Sequence, residues 1–207
     1  LLSVPIDTRD GSAILELANA LAESITVDVS IYKSTGGEAL YVKRHKLNAH
    51  QTVHIITDQI LVKSEGLALI KGSKKESVLA TAMQYGRSDN LGIEFLYGIQ
   101  AREAIGAVLR GTYNTFLNQR CSLLVANPTS ASTSVAISMK RYDSHQSLNG
   151  QNENIPAHGL LDFNLCAYDD PNVYGVVTVQ PNTPNSVFPV VLRLGANDDY
   201  RFPTPVR

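Results

Sequence analysis

The segment Leu123-Leu124-Val125-Ala126-Asn127 has a counterpart 108 residues earlier in the chain, Leu15-Glu16-Leu17-Ala18-Asn19. The same offset aligns residues 25–31 with residues 133–139, and both segments alternate apolar and polar side chains. One inserted residue then changes the offset to 109, and the match resumes beyond it. Because a register kept over about 75 residues with one insertion is rare by chance, the sequence predicts two tandem copies of one structural unit.

Each copy is composed of segments that predict β-strands. Residues 24–31 and 134–139 alternate strictly, as expected for strands with one buried face. Further strands are predicted at 51–56, 66–70 and 78–83 in the first copy, and at 159–165, 175–179 and 187–194 in the second. Turn signals such as Asn127-Pro128 and Asn149-Gly150 separate these segments.

Short strands separated by recurring turns are typical of an antiparallel sandwich. We therefore predict an all-β protein with two tandem antiparallel β-sandwich domains, jelly-roll or Ig-like, at residues 1–106 and 107–207. Residues 14–22 have a composition that favours a helix, but their counterpart predicts a strand, so we predict a strand here too. Residues 98–110 connect the copies and are predicted as either a short helix or a strand.

Composition and charge exclude several classes of function. The 207-residue chain has 18 Lys and Arg against 19 Asp and Glu, a net charge of −1. This balance provides no positive field for nucleic acid or an anionic membrane. No apolar run approaches the ~20 residues that a membrane-spanning helix needs. The chain begins with Leu1, which favours a processed or shortened protein. Processing would have removed a signal peptide, so we expect export to the periplasm or cell surface, with the cytoplasm as the alternative.

The second copy also carries an ordered set of motifs. Leu124-Val125-Ala126-Asn127-Pro128-Thr129 precedes an alternating strand, and Ile155-Pro156-Ala157-His158 precedes the next strand. Tyr174-Gly175-Val176-Val177-Thr178-Val179 then leads to Ser186-Val187-Phe188-Pro189-Val190-Val191. This order resembles the bacterial sensory rhodopsin transducer family and related bacterial sandwich repeats. The resemblance implies a jelly-roll-like antiparallel sandwich that tends to oligomerise and is related in shape to carbohydrate-binding modules. It implies no catalytic residues.

One set of residues has the spacing of an enzyme motif. Ser30-Ile31-Tyr32-Lys33 matches the S-x-x-K motif of penicillin-recognising enzymes, and Ser88-Asp89-Asn90 matches their second motif. That chemistry needs the Ser at the start of a helix, with the Lys one turn further on. Here the set lies in an alternating strand, where Ser30 and Lys33 point to opposite faces, and a third motif is missing. We therefore predict no catalytic residues and no enzyme.

Candidate metal ligands are scattered along the chain. The five histidines are His45, His50, His54, His145 and His158. His50 and His158 occupy equivalent turn positions, which indicates a structural role shared by both copies. The acidic pairs Asp169-Asp170 and Asp198-Asp199 lie in loops, where calcium takes its oxygen ligands, although loop acids are more often simply solvated. We predict no metal site and no cofactor.

The two cysteines, Cys121 and Cys166, both lie in the second copy. Cys121 shares the strand parity of Leu123 and Val125, and we expect it to face the core. Cys166 is out of phase with the apolar residues before it, and we expect it to point outward near a strand end. A disulfide between them requires that strand to bend at its end, and the alternative is a buried cysteine with a separate thiol.

Tyrosines near turns are candidates for contacts with ligands or partners, because flat aromatic rings stack on sugars and fill protein interfaces. They are Tyr41, Tyr97, Tyr113, Tyr142, Tyr168 and Tyr200. A sugar platform usually contains Trp, and this chain has none, so we favour rings that fix loops or face a neighbouring subunit. The basic segment 71–75 lacks aromatic residues and is predicted to be a solvated hairpin tip.

Three functions agree with this interpretation. The first is a non-enzymatic structural or interaction subunit of an extracytoplasmic bacterial assembly, which forms a homo-oligomer or larger protein assembly through its sandwich edges and faces. The second is a module that binds a glycan or another ligand with the loops at one end of the sandwich. The third is a signalling adaptor like the rhodopsin transducers. We expect no nucleic-acid partner and no membrane span.

Overall fold

The computed structural model describes residues 1–87, 92–195 and 201–207, which form sixteen β-strands and no α-helix. The strands of the first half are β1 (Leu2–Asp7), β2 (Gly11–Asn19), β3 (Ile25–Lys33), β4 (Tyr41–Leu47), β5 (Thr52–Ile56), β6 (Glu65–Gly72), β7 (Val78–Arg87) and β8 (Ile93–Gln100). The strands of the second half are β9 (Leu109–Asn114), β10 (Arg120–Ala126), β11 (Thr133–Arg141), β12 (Ser147–Ile155), β13 (Leu160–Phe163), β14 (Tyr174–Pro181), β15 (Phe188–Leu194) and β16 (Arg201–Pro205). The prediction of an all-β protein is confirmed.

The strands pair into four antiparallel sheets of four strands each. Sheet A has the order β1-β6-β3-β4 and sheet B the order β5-β2-β7-β8, so both are built from the first half. Sheet C (β9-β14-β11-β12) and sheet D (β13-β10-β15-β16) are built from the second half and repeat those two orders strand for strand. The division into two sandwich domains at residues 106 and 107 stays a prediction.

A buried asparagine fixes the same turns in each half. The side-chain Nδ2 of Asn19, a residue only 3% exposed, donates to the backbone oxygens of Glu23 and Asn48. Its Oδ1 accepts from the backbone N–H of Leu21. In the second half the fully buried Asn127 makes the corresponding bonds, each to the residue 108 positions later. The hydrogen bonds therefore agree with the repeat register derived from the sequence.

The two equivalent histidines have the structural role predicted for them. His50 and His158 both adopt a left-handed backbone conformation, with φ of 55°. Their backbone N–H groups donate to the oxygens of Leu21 and Thr129, which are themselves equivalent. The role belongs to the backbone, because a positive φ is what these tight turns require.

Sheet D contributes to both apolar cores of the molecule. One core fills the space between sheets A and B, and the other fills the space between sheets C and D. In the segment that leads into and forms β15, Val187 and Val191 belong to the second core, whereas Phe188, Val190 and Leu192 belong to the first. Sheet D is therefore buried on both faces and joins the two halves.

The structure excludes one predicted alternative and shortens one predicted strand. Residues 98–110 contain the end of β8, the start of β9 and an isolated bridge between Ser3 and Arg102, so the helix alternative is wrong. The backbone of Arg102 exchanges two hydrogen bonds with Ser3, which holds this segment extended. The strand predicted at 159–165 is too long, because β13 gives way to a 3₁₀ turn. The strand predicted at 14–22 is confirmed over residues 14–19, and the observed β2 begins at Gly11 and ends at Asn19.

We expect Asn127→Ala to lower the free energy of unfolding by about 1–3 kcal/mol, because it leaves buried backbone oxygens without a donor. Asn19→Ala should cost a similar amount, since it removes the equivalent bonds. Urea unfolding followed by circular dichroism measures both losses. The matched control is Asn152→Ala, which removes an exposed side chain from β12. A loss no larger than that of the control would contradict the role assigned to these asparagines.

Candidate functional site

The two halves meet where the outer face of sheet D packs against the outer face of sheet A. On sheet D the contact residues are Phe188, Val190 and Leu192, each 5% exposed or less. On sheet A they are Leu67 and Leu69, whose positions in β6 turn them away from sheet B. Burying one such side chain contributes about 1.5–3 kcal/mol relative to leaving it exposed. This junction therefore carries a substantial part of the stability of the molecule.

The end of β3 and the turn that follows it add a second set of contacts to the junction. Tyr32 stacks on His158, with 4.5 Å between the ring centroids. The backbone oxygen of Ser34 accepts from the N–H of Leu160 at 2.9 Å. Gly36 has a φ of +70°, and a Cβ at this position would lie 2.3 Å from a backbone oxygen of the second half. Only glycine satisfies both conditions, so this turn is shaped to fit its neighbour.

Four charged residues form an ionic cluster at the edge of the junction. Nη2 of Arg9 lies 2.8 Å from Oδ2 of Asp7 and 2.6 Å from Oε1 of Glu65. The same nitrogen lies 3.2 Å from Oδ2 of Asp162, which comes from β13 in the second half. One guanidinium thus contacts three carboxyl groups, two from the first half and one from the second.

The ionic cluster changes the protonation of Glu65. Burial raises the pKa of this carboxyl group to about 8, and the nearby carboxylates Asp162 and Asp7 add to the rise, although Arg9 opposes it. The folded protein therefore binds this proton more tightly than the unfolded chain does. Loss of the Glu65 proton would add a negative charge to the carboxyl groups around the single guanidinium of Arg9.

A cavity of about 300 Å³ opens beside the ionic cluster, between the halves. Its charged lining residues are Arg9, Arg120, Arg201, Asp7, Asp10 and Asp162. The guanidinium of Arg201 lies 3.1 Å from Asp10 and 3.8 Å from the ring centroid of Phe95. Acidic and basic side chains are equal in number in this lining, so the cavity has no excess of one charge to attract a charged ligand.

The outer face of sheet B presents an exposed apolar patch. Three of its residues, Leu79, Ile56 and Leu96, are 57%, 54% and 52% exposed. The strand register places them on one face with three partly buried apolar side chains. We call this set the sheet B patch, and it consists of Ile14, Ile56, Leu79, Met83, Tyr85 and Leu96. Thr81 and the pair of Glu16 and His54 lie on the same face, between Leu79 and the other members. Exposed apolar side chains grouped on one sheet face favour an interaction surface.

A second exposed surface is a group of three aromatic rings at one end of the second half, which we call the aromatic cluster. Tyr142 stacks on Tyr174 with 5.3 Å between ring centroids, and Phe116 lies 5.9 Å from Tyr174. These rings are 64%, 43% and 40% exposed for Tyr142, Tyr174 and Phe116. The neighbouring Leu117, at a φ of +56°, is 80% exposed.

A buried ion pair supports the loops beneath the aromatic cluster. Nε of Arg141 donates to Oδ1 of Asp169 at 2.7 Å, and the side chain of Asp169 is fully buried. Asp169 also accepts from the hydroxyl of Tyr113, and burial together with this bond raises the pKa of that hydroxyl. Arg141 pairs with Asp170 as well. Both acids of the predicted calcium candidate Asp169-Asp170 are therefore engaged by arginine rather than available to a metal ion.

The two cysteines form a disulfide, with 5.1 Å between the Cα atoms of Cys121 and Cys166. The prediction that Cys166 points outward is wrong. The strand ends before it, and the 3₁₀ turn over Leu165–Tyr168 directs its side chain back towards β10. This resolves the alternatives left by the sequence in favour of the bridge.

The remaining residues that the sequence offered as candidates lie either in a strand or outside the described residues. Ser30 and Lys33 lie in β3, as predicted, and not at a helix start. The segments Ser88-Asp89-Asn90 and Asp198-Asp199 lie outside the described residues, as does Tyr200.

Among the tyrosines named as candidates for contacts with ligands or partners, two are buried. Tyr97 and Tyr113 are 5% and 1% exposed, so an exposed role for them is wrong. Tyr41 is partly exposed, and its hydroxyl lies 3.0 Å from Nε2 of His45. Burial, helped by the charge of Lys43, lowers the pKa of His45.

Within ranges 1–87, 92–195 and 201–207, no cluster of three or more His, Cys, Asp or Glu side chains is arranged to hold a metal ion. Over the same residues, no helix has the length and apolarity needed to cross a lipid bilayer.

Comparisons with known proteins identify no family. No family model matches the chain, and no curated protein matches it. Among solved structures, a beta-glucuronidase from glycoside hydrolase family 2 aligns with 98% of this chain at 10% identity and a TM-score of 0.21. The chain spans 23% of that protein. A likeness this weak supports no argument about fold or activity, and the resemblance to the rhodopsin transducers stays a prediction.

The sequence predictions did not include the residues of the junction, although one signal for them exists. Residues 187–194 are apolar at both strand parities, and such a run is typical of a strand buried on both faces. The ionic cluster has no comparable signal, because Arg9, Glu65 and Asp162 are far apart in the chain.

Glu65→Gln is expected to flatten the pH dependence of the free energy of unfolding between about pH 4.5 and 8. The folded protein holds the Glu65 proton up to about pH 8, whereas the unfolded chain releases it near 4.5. The stability linked to this group is therefore complete below pH 4.5 and is lost as the pH rises through 8. Urea unfolding at a series of pH values measures the slope, with the exposed Glu94→Gln as control. If the free energy of unfolding had the same pH dependence in wild type and Glu65→Gln, the raised pKa of Glu65 would be refuted.

Proposed function

We propose that this chain is a non-enzymatic structural or interaction subunit of an extracytoplasmic bacterial assembly, and that it binds neighbouring subunits through its sheet faces. The observation that carries the proposal is the sheet B patch, where Leu79, Ile56 and Leu96 are each more than half exposed. Apolar side chains gain free energy when a partner removes them from water, at about 25 cal/mol per Å² of buried area. A surface of this kind favours association over a solitary chain.

Three of the sheet edges are poorly suited to pairing with another chain. The free edge of β4 carries Lys43, Arg44 and Lys46, and charges on an edge strand oppose pairing with another strand. The outer edge of β1 is occupied by the bridge to Arg102. The outer edge of β9 exchanges two backbone hydrogen bonds with Arg207. These features oppose strand pairing at three of the eight edges of the four sheets, which favours association through the faces there.

The disulfide between Cys121 and Cys166 supports an extracytoplasmic location. Disulfides form and persist in the periplasm and at the cell surface, and they are rare in the cytoplasm, where thiols are kept reduced. We therefore place the proposed assembly outside the cytoplasm.

Light scattering across a range of concentrations tests the proposal. We expect the wild-type mass to exceed 22.5 kDa and to rise with concentration. Leu79→Asp should shift the population towards the monomer, because it places a charge in the sheet B patch. The control is Val62→Asp, which changes a residue that is 71% exposed outside that patch. A wild-type monomer at every concentration would contradict self-association, and an equal effect of both variants would contradict the role of the patch.

The aromatic cluster favours a second candidate function, the binding of a glycan. Tyr142, Tyr174 and Phe116 present adjacent ring faces, and flat apolar faces of sugars pack on such rings. The disulfide and the buried pair of Arg141 and Asp169 hold the neighbouring loops in place. A pre-ordered surface of this kind lowers the entropy cost of binding.

A glycan array followed by titration with the free sugar tests this second candidate. Tyr142→Ala should weaken a retained glycan by about tenfold, equivalent to a loss of about 1.4 kcal/mol. Tyr168→Ala should have little effect, because that ring stacks on Phe163 outside the aromatic cluster. Retention of no glycan by the wild-type protein, or equal losses in both variants, would exclude the aromatic cluster as a sugar site.

A further inference from the structure

The junction between the halves joins the outer faces of sheets D and A. The equivalent outer faces, those of sheets B and C, take no part in it. The strand orders show that sheet B of the first half corresponds to sheet D of the second, and that sheet A corresponds to sheet C. Inside the chain, the outer face of sheet D packs on the outer face of sheet A. The outer face of sheet B is thus equivalent to that of sheet D, and the outer face of sheet C is equivalent to that of sheet A.

Individual positions on these faces correspond in the repeat register. Leu79 on sheet B is the counterpart of Phe188 on sheet D, 109 residues later. Phe188 is 5% exposed in the junction, whereas Leu79 is 57% exposed. On the other side of the junction, Leu69 of sheet A is 6% exposed, and its counterpart on sheet C is the partly exposed Thr178.

The two unused faces carry opposite charges. On sheet B, the outward-facing strand positions include Glu16 and Glu94. On sheet C, they include Arg110 and Lys140. Opposite charges on two surfaces steer their encounter and fix the register in which they meet. Two sheet B faces brought together would instead oppose like charges.

We propose that the outer face of sheet B binds the outer face of sheet C in a second copy of this chain, in the relation that sheets D and A have inside one chain. This inference rests on the proposed function and specifies its partner and its geometry. The contact is head-to-tail, so each added copy presents the same free faces again and the assembly grows as a linear stack. Because Thr178 replaces the leucine of the internal junction, the contact between chains is weaker than that within the chain and depends on concentration.

Mixing two blocked variants tests this geometry. Leu79→Asp blocks the sheet B face and leaves sheet C intact, whereas Thr178→Glu blocks the sheet C face and leaves sheet B intact. Each substitution changes an outward-facing side chain, and thermal unfolding of each variant checks that the fold is retained. The readout is the mass of each variant alone and of the equimolar mixture, measured by light scattering and sedimentation velocity.

We expect each variant alone to be a monomer and the mixture to form a 1:1 dimer that grows no further. Association of the wild-type protein without dimer formation in the mixture would overturn the head-to-tail geometry and leave the proposed function intact. Persistent dimerisation of Thr178→Glu alone would also overturn it, because that result indicates two sheet B faces in contact. A wild-type protein that stays monomeric would overturn the proposed function as well.

Discussion

Burial of Phe188, Val190 and Leu192 against the first half is the constraint on which the rest of the structure depends. Sheet D is apolar on both faces, so neither face can be left to water without a large loss of free energy. The second half covers one face with sheet C, and the first half covers the other with sheet A. The linker, the turn at Gly36 and the ionic cluster around Arg9 are all arranged at the boundary that this packing creates.

The two halves share the same buried hydrogen bonds and turns, and they differ in the side chains on the outer faces of their sheets. Asn19 and Asn127 make equivalent hydrogen bonds, and His50 and His158 make equivalent turns. These features determine how each half folds, so they are the same in both. The outer faces determine what each half contacts, and there Leu79 replaces the phenylalanine that is buried in the junction. This difference is why the interaction surfaces differ while the strand order does not.

Much of the fold could be predicted from the sequence, because alternation and the repeat are local or periodic signals. The internal register placed β2 correctly although residues 14–22 favour a helix by composition. Strands such as β4 and β12 were not predicted, because they lie at sheet edges, carry many polar residues and lack alternation. The junction and the aromatic cluster could not be predicted from alternation or from the repeat, because only tertiary packing brings their residues together. The disulfide depended on a turn after β13 that alternation alone does not reveal.

Native-state hydrogen exchange of the full chain tests most directly whether the two halves are one cooperative unit. Our account predicts that the slowest amides of β2 in the first half and of β15 in the second exchange with the same free energy of opening. They share the core that sheet D completes, and neither can open globally without exposing it. Two well-separated free energies, one for each half, would contradict the claim that burial of sheet D holds the molecule together.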